Sequence, residues 1–232
     1  MASYYIGLSC LSINQFSNSE RNNALSAEAR RILSILTDRP IDSITTEVNG
    51  RPFFQNSNID FNISHSGAAV AVSLVQGENN SENNNGKKVR TGCDIQLIKP
   101  RKNLKNITEE NFSAAERDYI FSQGETQFES FRFFQIWTLK ECYIKFFGFS
   151  VFDMPKVPSF IFRDAAGKFQ FSLNASDLVD GSSPLSFYLY ELIFADERYI
   201  LAAAIEGKRD IHPEIRIFSQ GIHCDPLIKM II

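Results

Sequence analysis

Several motifs that mark common enzyme classes are missing from this chain of 232 residues. It has three histidines, none at the spacing of an H-E-x-x-H zinc site, and its four cysteines form no C-x-x-C pair. None of its twelve glycines belongs to a G-x-G-x-x-G, P-loop or G-x-S-x-G motif. The sequence therefore argues against zinc hydrolases, disulfide frameworks, dinucleotide-binding folds, P-loop proteins and nucleophile-elbow hydrolases.

The chain also lacks an excess of either charge and any long apolar run. Its 24 basic and 27 acidic residues give a formal net charge of −3, which argues against a nucleic-acid-binding surface. No apolar stretch approaches the roughly 18 residues that a membrane helix needs, and residues 1–10 do not resemble a signal peptide. We therefore expect a cytoplasmic protein without membrane or nucleic-acid partners. Its 21 phenylalanines predict a core rich in aromatic rings.

Hydrophobic periodicity predicts a mixture of amphipathic helices and short strands. A helix is expected over 19–37, with Ser19 as its N-cap, and a longer one over 126–147, ending before Gly148. A turn is expected at 65–67, between two strands. The remaining predicted elements are a helix over 112–122 and strands over 4–8, 61–64, 69–75, 89–95, 159–163, 168–173, 187–194 and 199–205.

One low-complexity stretch divides the sequence. Residues 77–88, GENNSENNNGKK, cannot bury apolar area, so an exposed and mobile connection is expected there. A strand, an amphipathic helix and paired strands occur in that order on both sides of it. The sequence therefore predicts an α+β protein of two similar halves, 1–86 and 87–232.

A first candidate for chemistry lies at the end of the predicted strand 89–95. Strand periodicity places Asp94 and Gln96 on the same face. A carboxylate with an amide oxygen two residues away can form part of a site for a hard cation. The ordinary alternative for an isolated aspartate near a strand end is a capping or turn role.

A second candidate is the long predicted helix. Trp137, Glu141 and Lys145 follow one another at i, i+4 steps and therefore share one face. Their ordinary interpretation is a surface ion pair of small energetic value. The functional alternative is that Glu141 completes a cation site with Asp94, while Lys140 and Lys145 address phosphate oxygens.

A third candidate is formed by the turn residues. His65 lies between the hydroxyls of Ser64 and Ser66, where it can donate hydrogen bonds to an anion or be satisfied by backbone groups. Arg51, in the sequence Asn-Gly-Arg-Pro, can hold a phosphate with two hydrogen bonds or point into water.

Together these segments resemble the larger, monomeric 4′-phosphopantetheinyl transferases, the group that includes the surfactin-synthetase activating enzyme. The resemblance covers residues 50–148 and rests on five motifs in the same order and at similar spacing. They are Gly50-Arg51-Pro52, Phe61-Asn62-Ile63-Ser64-His65-Ser66-Gly67, Gly92-Cys93-Asp94-Ile95, Phe112-Ser113 with Glu116, and Trp137-Thr138-Leu139-Lys140-Glu141 with Lys145.

The resemblance implies a monomeric pseudo-dimer of two α/β halves that binds coenzyme A and Mg²⁺ in the cleft between them. It implies transfer of phosphopantetheine to a serine of an apo acyl or peptidyl carrier protein, with release of adenosine 3′,5′-bisphosphate. Asp94, Glu141 and Lys145 are the implied catalytic residues, with Asp94 and Glu141 holding the metal and Glu141 also a candidate base. Arg51, Ser64, His65, Lys140 and Lys145 would bind coenzyme A, with the 3′-phosphate near Arg51 and His65.

Two positions depart from the family pattern. Many relatives have an acidic residue where this chain has Gln96. The side-chain carbonyl of Gln96 would either ligate the metal or orient a metal-bound water, and Mn²⁺ becomes an alternative to Mg²⁺. Arg51 stands where lysine is common, a change that keeps the charge. Two alternatives remain: a non-catalytic protein of the same fold that binds coenzyme A or a carrier, and a metal-dependent phosphodiesterase.

Overall fold

The computed structural model describes residues 3–13, 16–40, 44–47, 50–55, 57–77, 89–121, 126–165, 168–173, 185–206, 212–219 and 229–231. Most of the predicted connection 77–88, and with it the boundary between the two predicted halves, lies outside these residues. The helices are α1 (Asn18–Thr37), α2 (Leu104–Asn111), α3 (Ala114–Phe121), α4 (Thr126–Phe147) and a 3₁₀ helix at Val151–Lys156. The strands are β1 (Ser3–Cys10), β2 (Ile44–Thr46), β3 (Pro52–Phe54), β4 (Ile59–Ser66), β5 (Ala69–Gln76), β6 (Thr91–Leu97), β7 (Phe160–Ala165), β8 (Lys168–Leu173), β9 (Leu185–Phe194), β10 (Glu197–Glu206), β11 (Glu214–Ile217) and β12 (Lys229–Ile231).

Two four-stranded sheets form the centre of the molecule. The first has the order β11-β1-β5-β4, and the second has the order β12-β9-β10-β6. All pairings are antiparallel except that of β1 with β11, which is parallel. The first sheet thus takes β11 from the C-terminal part of the chain. These elements confirm a mixed helix and strand fold, whereas the similarity of two halves stays a prediction.

The central strands are buried on both faces, which explains their continuous apolar sequences. In β10, Tyr199, Leu201 and Ala203 pack in the cluster between the two sheets, while Ile200 and Ala202 pack against the helical layer of α4. In the first sheet, alternate residues of β5 pack between the sheets or against α1 in the same way. The order of layers is therefore helix, sheet, sheet, helix.

Some boundaries differ from the predicted ones for identifiable reasons. The N-cap of α1 is Ser17 and not Ser19, because Ser17 and Glu20 form a reciprocal capping box. His65 and Ser66 belong to β4 and not to a turn, since β4 continues to Ser66 and pairs with β5 up to that residue. The turn itself is Gly67-Ala68, where Gly67 has a φ of 57° that a glycine adopts readily.

The edge strands β4 and β6 bring the two sheets together without a backbone ladder. Alternate side chains of β4 instead accept hydrogen bonds from alternate backbone N–H groups of β6. The four pairs are Asp60 with Thr91, Asn62 with Cys93, Ser64 with Ile95, and Ser66 with Leu97, at 2.8, 3.3, 3.2 and 3.0 Å. We call this set the side-chain ladder. It fixes the register of β6, and hence of Asp94, against β4.

The aromatic residues pack as the composition predicts. Phe133 is fully buried and stacks between Phe112 and Trp137, and Phe134 packs edge-on against it. The described cysteines Cys10, Cys93 and Cys142 are buried, while Cys224 lies outside the described residues. In the part of the chain that the structure describes, no helix combines the length and apolar composition needed to cross a membrane.

Candidate active site

A cavity of about 660 Å³ opens where β4, β6, α1 and α4 meet. Both sides of the predicted connection contribute to its wall. The lining residues are Ser26, Ala29, Arg30, Ile44, Thr46, Pro52, Asn62, Ile63, Ser64, His65, Asp94, Gln96, Glu141 and Lys145. Residues from four of the five sequence motifs, on β3, β4, β6 and α4, therefore face one space.

Asp94 is the centre of a polar cluster at the base of this cavity. Its side chain is almost fully buried, and its Oδ1 accepts hydrogen bonds from Ser64 Oγ at 2.8 Å and from Lys145 Nζ at 2.6 Å. Its Oδ2 accepts from Gln96 Nε2 at 3.0 Å. A buried carboxylate is costly unless it is paired and hydrogen-bonded, so these partners account for its burial.

Ser64 connects this cluster to the side-chain ladder. Its hydroxyl donates to Asp94 and accepts from the backbone N–H of Ile95 and from Lys145 Nζ, the last at 2.8 Å. One serine thereby fixes a carboxylate of β6 and an ammonium group of α4 relative to β4. Burial alone would lower the pKa of Lys145, but the charge and hydrogen bond of Asp94 raise it above its usual value.

Gly92 allows α4 to come close enough to β6 for these contacts. A Cβ at this position would lie 2.9 Å from the Cys142 carbonyl oxygen and 2.9 Å from Phe146 Cβ. Because one of these contacts is with backbone, a side chain could be accommodated only by moving the helix. The glycine of the Gly92-Cys93-Asp94-Ile95 motif thus brings Glu141 and Lys145 to the level of Asp94.

Glu141 faces the same cavity from α4. Its pKa is raised from 4.5 to about 7, mainly by burial and in addition by the negative charge of Asp94, while Lys145 acts in the opposite direction. Two carboxylates are therefore near enough to repel one another. A group with a pKa near neutrality is suited to accept a proton during a reaction.

The raised pKa of Glu141 has a consequence for stability. Because the folded protein binds this proton more tightly than the unfolded chain, ionisation of Glu141 should reduce the free energy of unfolding as the pH rises from 4.5 to about 7. We expect the melting temperature of the wild type, relative to Glu141→Gln, to fall across that interval. Thermal melts of both proteins without divalent cations measure this difference. Glu110→Gln, at an exposed position of α2, serves as the control. If the difference in melting temperature between the wild type and Glu141→Gln does not change with pH, the raised pKa of Glu141 is contradicted.

His65 lies on the exposed rim of the cavity. Burial of part of its ring lowers its pKa, and the charge of Lys145 lowers it further, while Asp94 acts in the opposite direction. This shift favours the neutral imidazole, which offers one N–H donor. Arg30 of α1 lines the same cavity and is exposed.

Lys140 and Arg51 do not have the positions expected for phosphate ligands. Lys140 is nearly fully buried, donates to the Val157 carbonyl at 3.2 Å and lies 3.3 Å from Glu116. It points away from the cavity because it precedes Glu141 by one residue, which is about 100° around the helix. The Arg51 guanidinium is also buried, donates to Asp60 and to backbone carbonyls, and is absent from the cavity wall.

Comparison with known proteins identifies part of the chain. Residues 90–204 match the model of the 4′-phosphopantetheinyl transferase superfamily. The chain is 30% identical over 133 residues to the 4′-phosphopantetheinyl transferase AcpT of Salmonella typhimurium, covering 56% of this chain and 62% of that protein. It is 32% identical over 136 residues to AcpT of Escherichia coli strain K12, with the same coverage.

A third relative is a putative 4′-phosphopantetheinyl transferase of Haemophilus influenzae, 35% identical over 112 residues, or 48% of this chain and 43% of that protein. The chain thus spans less than two thirds of the length of the relatives that it matches. These findings confirm the predicted relationship at the level of the superfamily. The relatives named here carry the name AcpT or only the general transferase name, so membership of the larger surfactin-synthetase type stays a prediction.

Proposed function

We propose that the protein transfers the 4′-phosphopantetheine group of coenzyme A to a serine of an apo acyl or peptidyl carrier protein. The second product is adenosine 3′,5′-bisphosphate, and the reaction depends on Mg²⁺ or Mn²⁺. The observation that carries the proposal is the convergence of Asp94, Glu141, Lys145 and Ser64 on one cavity between β4, β6 and α4. The superfamily match over residues 90–204 supports the same reaction class.

The donor atoms fit a hard divalent cation that is shared with the substrate. Among the described residues, no three His, Cys, Asp or Glu side chains cluster to hold a metal by themselves. Asp94 and Glu141 nevertheless supply two carboxylates to one cavity, and their mutual repulsion would be relieved by a cation. Gln96 donates a hydrogen bond from its amide nitrogen to Asp94, and rotation of that amide would direct its oxygen to a bound cation instead. A magnesium ion usually keeps water or phosphate oxygens as its remaining ligands.

Several cavity residues would bind the phosphates of coenzyme A. Lys145 would contact the pyrophosphate from the base of the cavity, while His65 and Arg30 would contact an outer phosphate at its rim. Ser64 would act by holding Lys145 in place rather than by contacting the substrate itself. This distribution explains how a protein of net charge −3 can bind a polyanion through a few placed groups.

In the reaction, the serine oxygen of the carrier forms a bond to the phosphorus adjacent to the pantetheine arm. The bond from that phosphorus to the bridging oxygen breaks, and adenosine 3′,5′-bisphosphate leaves with the bonding electron pair. Glu141 accepts the serine proton directly or through a water, consistent with its pKa of about 7. Lys145 stabilises negative charge at the transferred group, and a bound dication would neutralise charge on the pyrophosphate.

The test is incubation of the protein with coenzyme A, Mg²⁺ and a panel of apo acyl and peptidyl carrier proteins. We expect one carrier at least to gain the mass of one phosphopantetheine group and to lose this gain when its acceptor serine is changed to alanine. Coenzyme A binding without a mass gain on any carrier would favour the non-catalytic alternative. Hydrolysis of coenzyme A in the absence of a carrier would favour a phosphodiesterase. The panel also identifies the carrier, and gel filtration tests the predicted monomer.

A further inference from the structure

Arg51 is enclosed by three separate segments of the chain. Its side chain is 4% exposed, and its Nη2 lies 2.6 Å from Asp60 Oδ2 on β4. Nη2 also donates to the Thr91 carbonyl on β6 at 2.8 Å. Nη1 donates to the carbonyls of Lys145 and Phe146 at the end of α4. One guanidinium therefore joins both sheet edges to the helix that carries Lys145.

The contacts of Arg51 with α4 are at the C-terminal end of the helix, where a positive charge is stabilising. The last carbonyls of a helix have no partner within the helix and carry partial negative charge, so a buried guanidinium there satisfies and stabilises them. Gly148 ends the helix with a φ of 74°. Arg51 thus holds the carbonyl end of Lys145, while Ser64 and Asp94 hold its ammonium end.

The partner of Arg51 belongs to the side-chain ladder. Asp60 Oδ2 accepts from Arg51 and also from the backbone N–H of Thr91 at 2.8 Å. Burial raises the pKa of Asp60, and Arg51 opposes this shift. Asp60 with Thr91 is the first pair of the side-chain ladder, and the third pair, Ser64 with Ile95, contacts Asp94 through Ser64.

We propose that Arg51 is a positioning residue, which sets the distance between α4 and β6 and so holds Lys145 against Asp94. The inference rests on the proposed transferase function for its catalytic readout. It replaces direct phosphate binding by Arg51, because the Nη hydrogens are directed at protein oxygens and the residue is absent from the cavity wall. A lysine cannot replace this arrangement, since one ammonium group does not span Asp60, Thr91 and the end of α4 together.

The experiment compares Arg51→Gln and Arg51→Lys in two backgrounds, wild type and Lys145→Ala. If Arg51 acts through Lys145, replacement of Arg51 should lower kcat by about tenfold in the wild-type background but by less than about twofold in the Lys145→Ala background, because the effects of substitutions at coupled residues are not additive. The same loss in both backgrounds would overturn the proposal. Arg216→Gln, at an exposed ion pair on β11, is the control and should leave kcat unchanged.

Ligand binding separates positioning from phosphate contact. Calorimetry with coenzyme A and with 3′-dephospho-coenzyme A should show the same relative affinity for the two ligands in wild type and Arg51→Gln. A loss confined to coenzyme A would show that Arg51 binds the 3′-phosphate and would overturn the proposal.

A third readout does not require transfer activity. Hydrogen exchange at the amide of Phe149, which donates to the Ile144 carbonyl at the end of α4, should accelerate in both Arg51 variants and not in Arg216→Gln. Unchanged exchange would contradict the proposal even if the protein transfers nothing. Absence of transfer with accelerated exchange would instead remove the proposed function and leave the positioning role of Arg51 standing.

Discussion

Asp94→Asn is expected to lower the rate of phosphopantetheine transfer by about 1000-fold or more while the protein remains folded. Asparagine keeps the size of the side chain and one accepting oxygen, but it removes the charge that holds Lys145 and would hold a dication. Charge stabilisation of this kind contributes several kcal/mol to phosphoryl-transfer reactions, and about 4 kcal/mol corresponds to about 1000-fold in rate. Mass spectrometry of the carrier over time measures the loss.

The dependence on Mg²⁺ distinguishes a metal ligand from a residue that merely supports the fold. Asp94→Asn should need a higher Mg²⁺ concentration for half-maximal residual activity, whereas a general loss of structure would lower the rate at every concentration alike. Asp118→Asn, at an exposed position on α3, is the matched control and should behave as wild type. Activity within tenfold of wild type, with an unchanged Mg²⁺ requirement, would remove Asp94 from the metal site.

Local sequence patterns predict the helix that carries Glu141 and Lys145. The helix predicted over 126–147, with Gly148 as its end signal, has the bounds of α4, and i, i+4 spacing places Glu141 and Lys145 on one face, where both line the cavity. The same geometry also explains why Lys140 does not line the cavity. A residue one step from Glu141 lies about a quarter-turn away, and here it faces a buried pocket with Glu116.

At the end of β4, the sequence contains both a strand signal and a turn signal. Asp60, Asn62, Ser64 and Ser66 alternate with other residues at the period of a strand, and all four side chains face β6. Small polar side chains and a nearby glycine favoured a turn at His65, but pairing with β5 extends β4 to Ser66. The alternation would have predicted both the longer strand and a polar partner beside it.

The burial of Arg51 could not be obtained from sequence periodicity. Its partners are separated from it by as many as 95 positions along the chain, and they meet only because β4, β6 and α4 converge. A guanidinium in an Asn-Gly-Arg-Pro sequence has the local signature of an exposed turn residue. Tertiary contacts therefore decide whether such an arginine binds a ligand or the protein itself.

Lys145→Ala is expected to lower kcat by about 100- to 1000-fold, the range for loss of one preorganised donor at a developing negative charge. The ammonium lies at the base of the cavity, 2.6 Å from Asp94 and 2.8 Å from Ser64, and these contacts fix its position before substrate binds. A preorganised charge stabilises the transition state without further reorganisation. Single-turnover transfer to the carrier, with saturating coenzyme A, measures this step apart from binding.

Two further variants, Lys145→Arg and Lys102→Ala, test whether the loss of kcat in Lys145→Ala comes from the missing positive charge or from the missing position of the ammonium group. Lys102 is exposed, so its removal tests the effect of one lost positive charge on the surface and should leave kcat unchanged. Arginine at position 145 keeps the charge but cannot place a compact ammonium between Ser64 and Asp94, so we expect it to recover only part of the activity. Full recovery would mean that charge alone is sufficient, and a loss below tenfold in Lys145→Ala would exclude Lys145 from the reacting groups. We also expect Lys145→Ala to retain the Mg²⁺ requirement of the wild type, in contrast to Asp94→Asn. This result would separate the roles of the ion pair, with Lys145 acting at the transferred phosphoryl group and Asp94 acting at the metal.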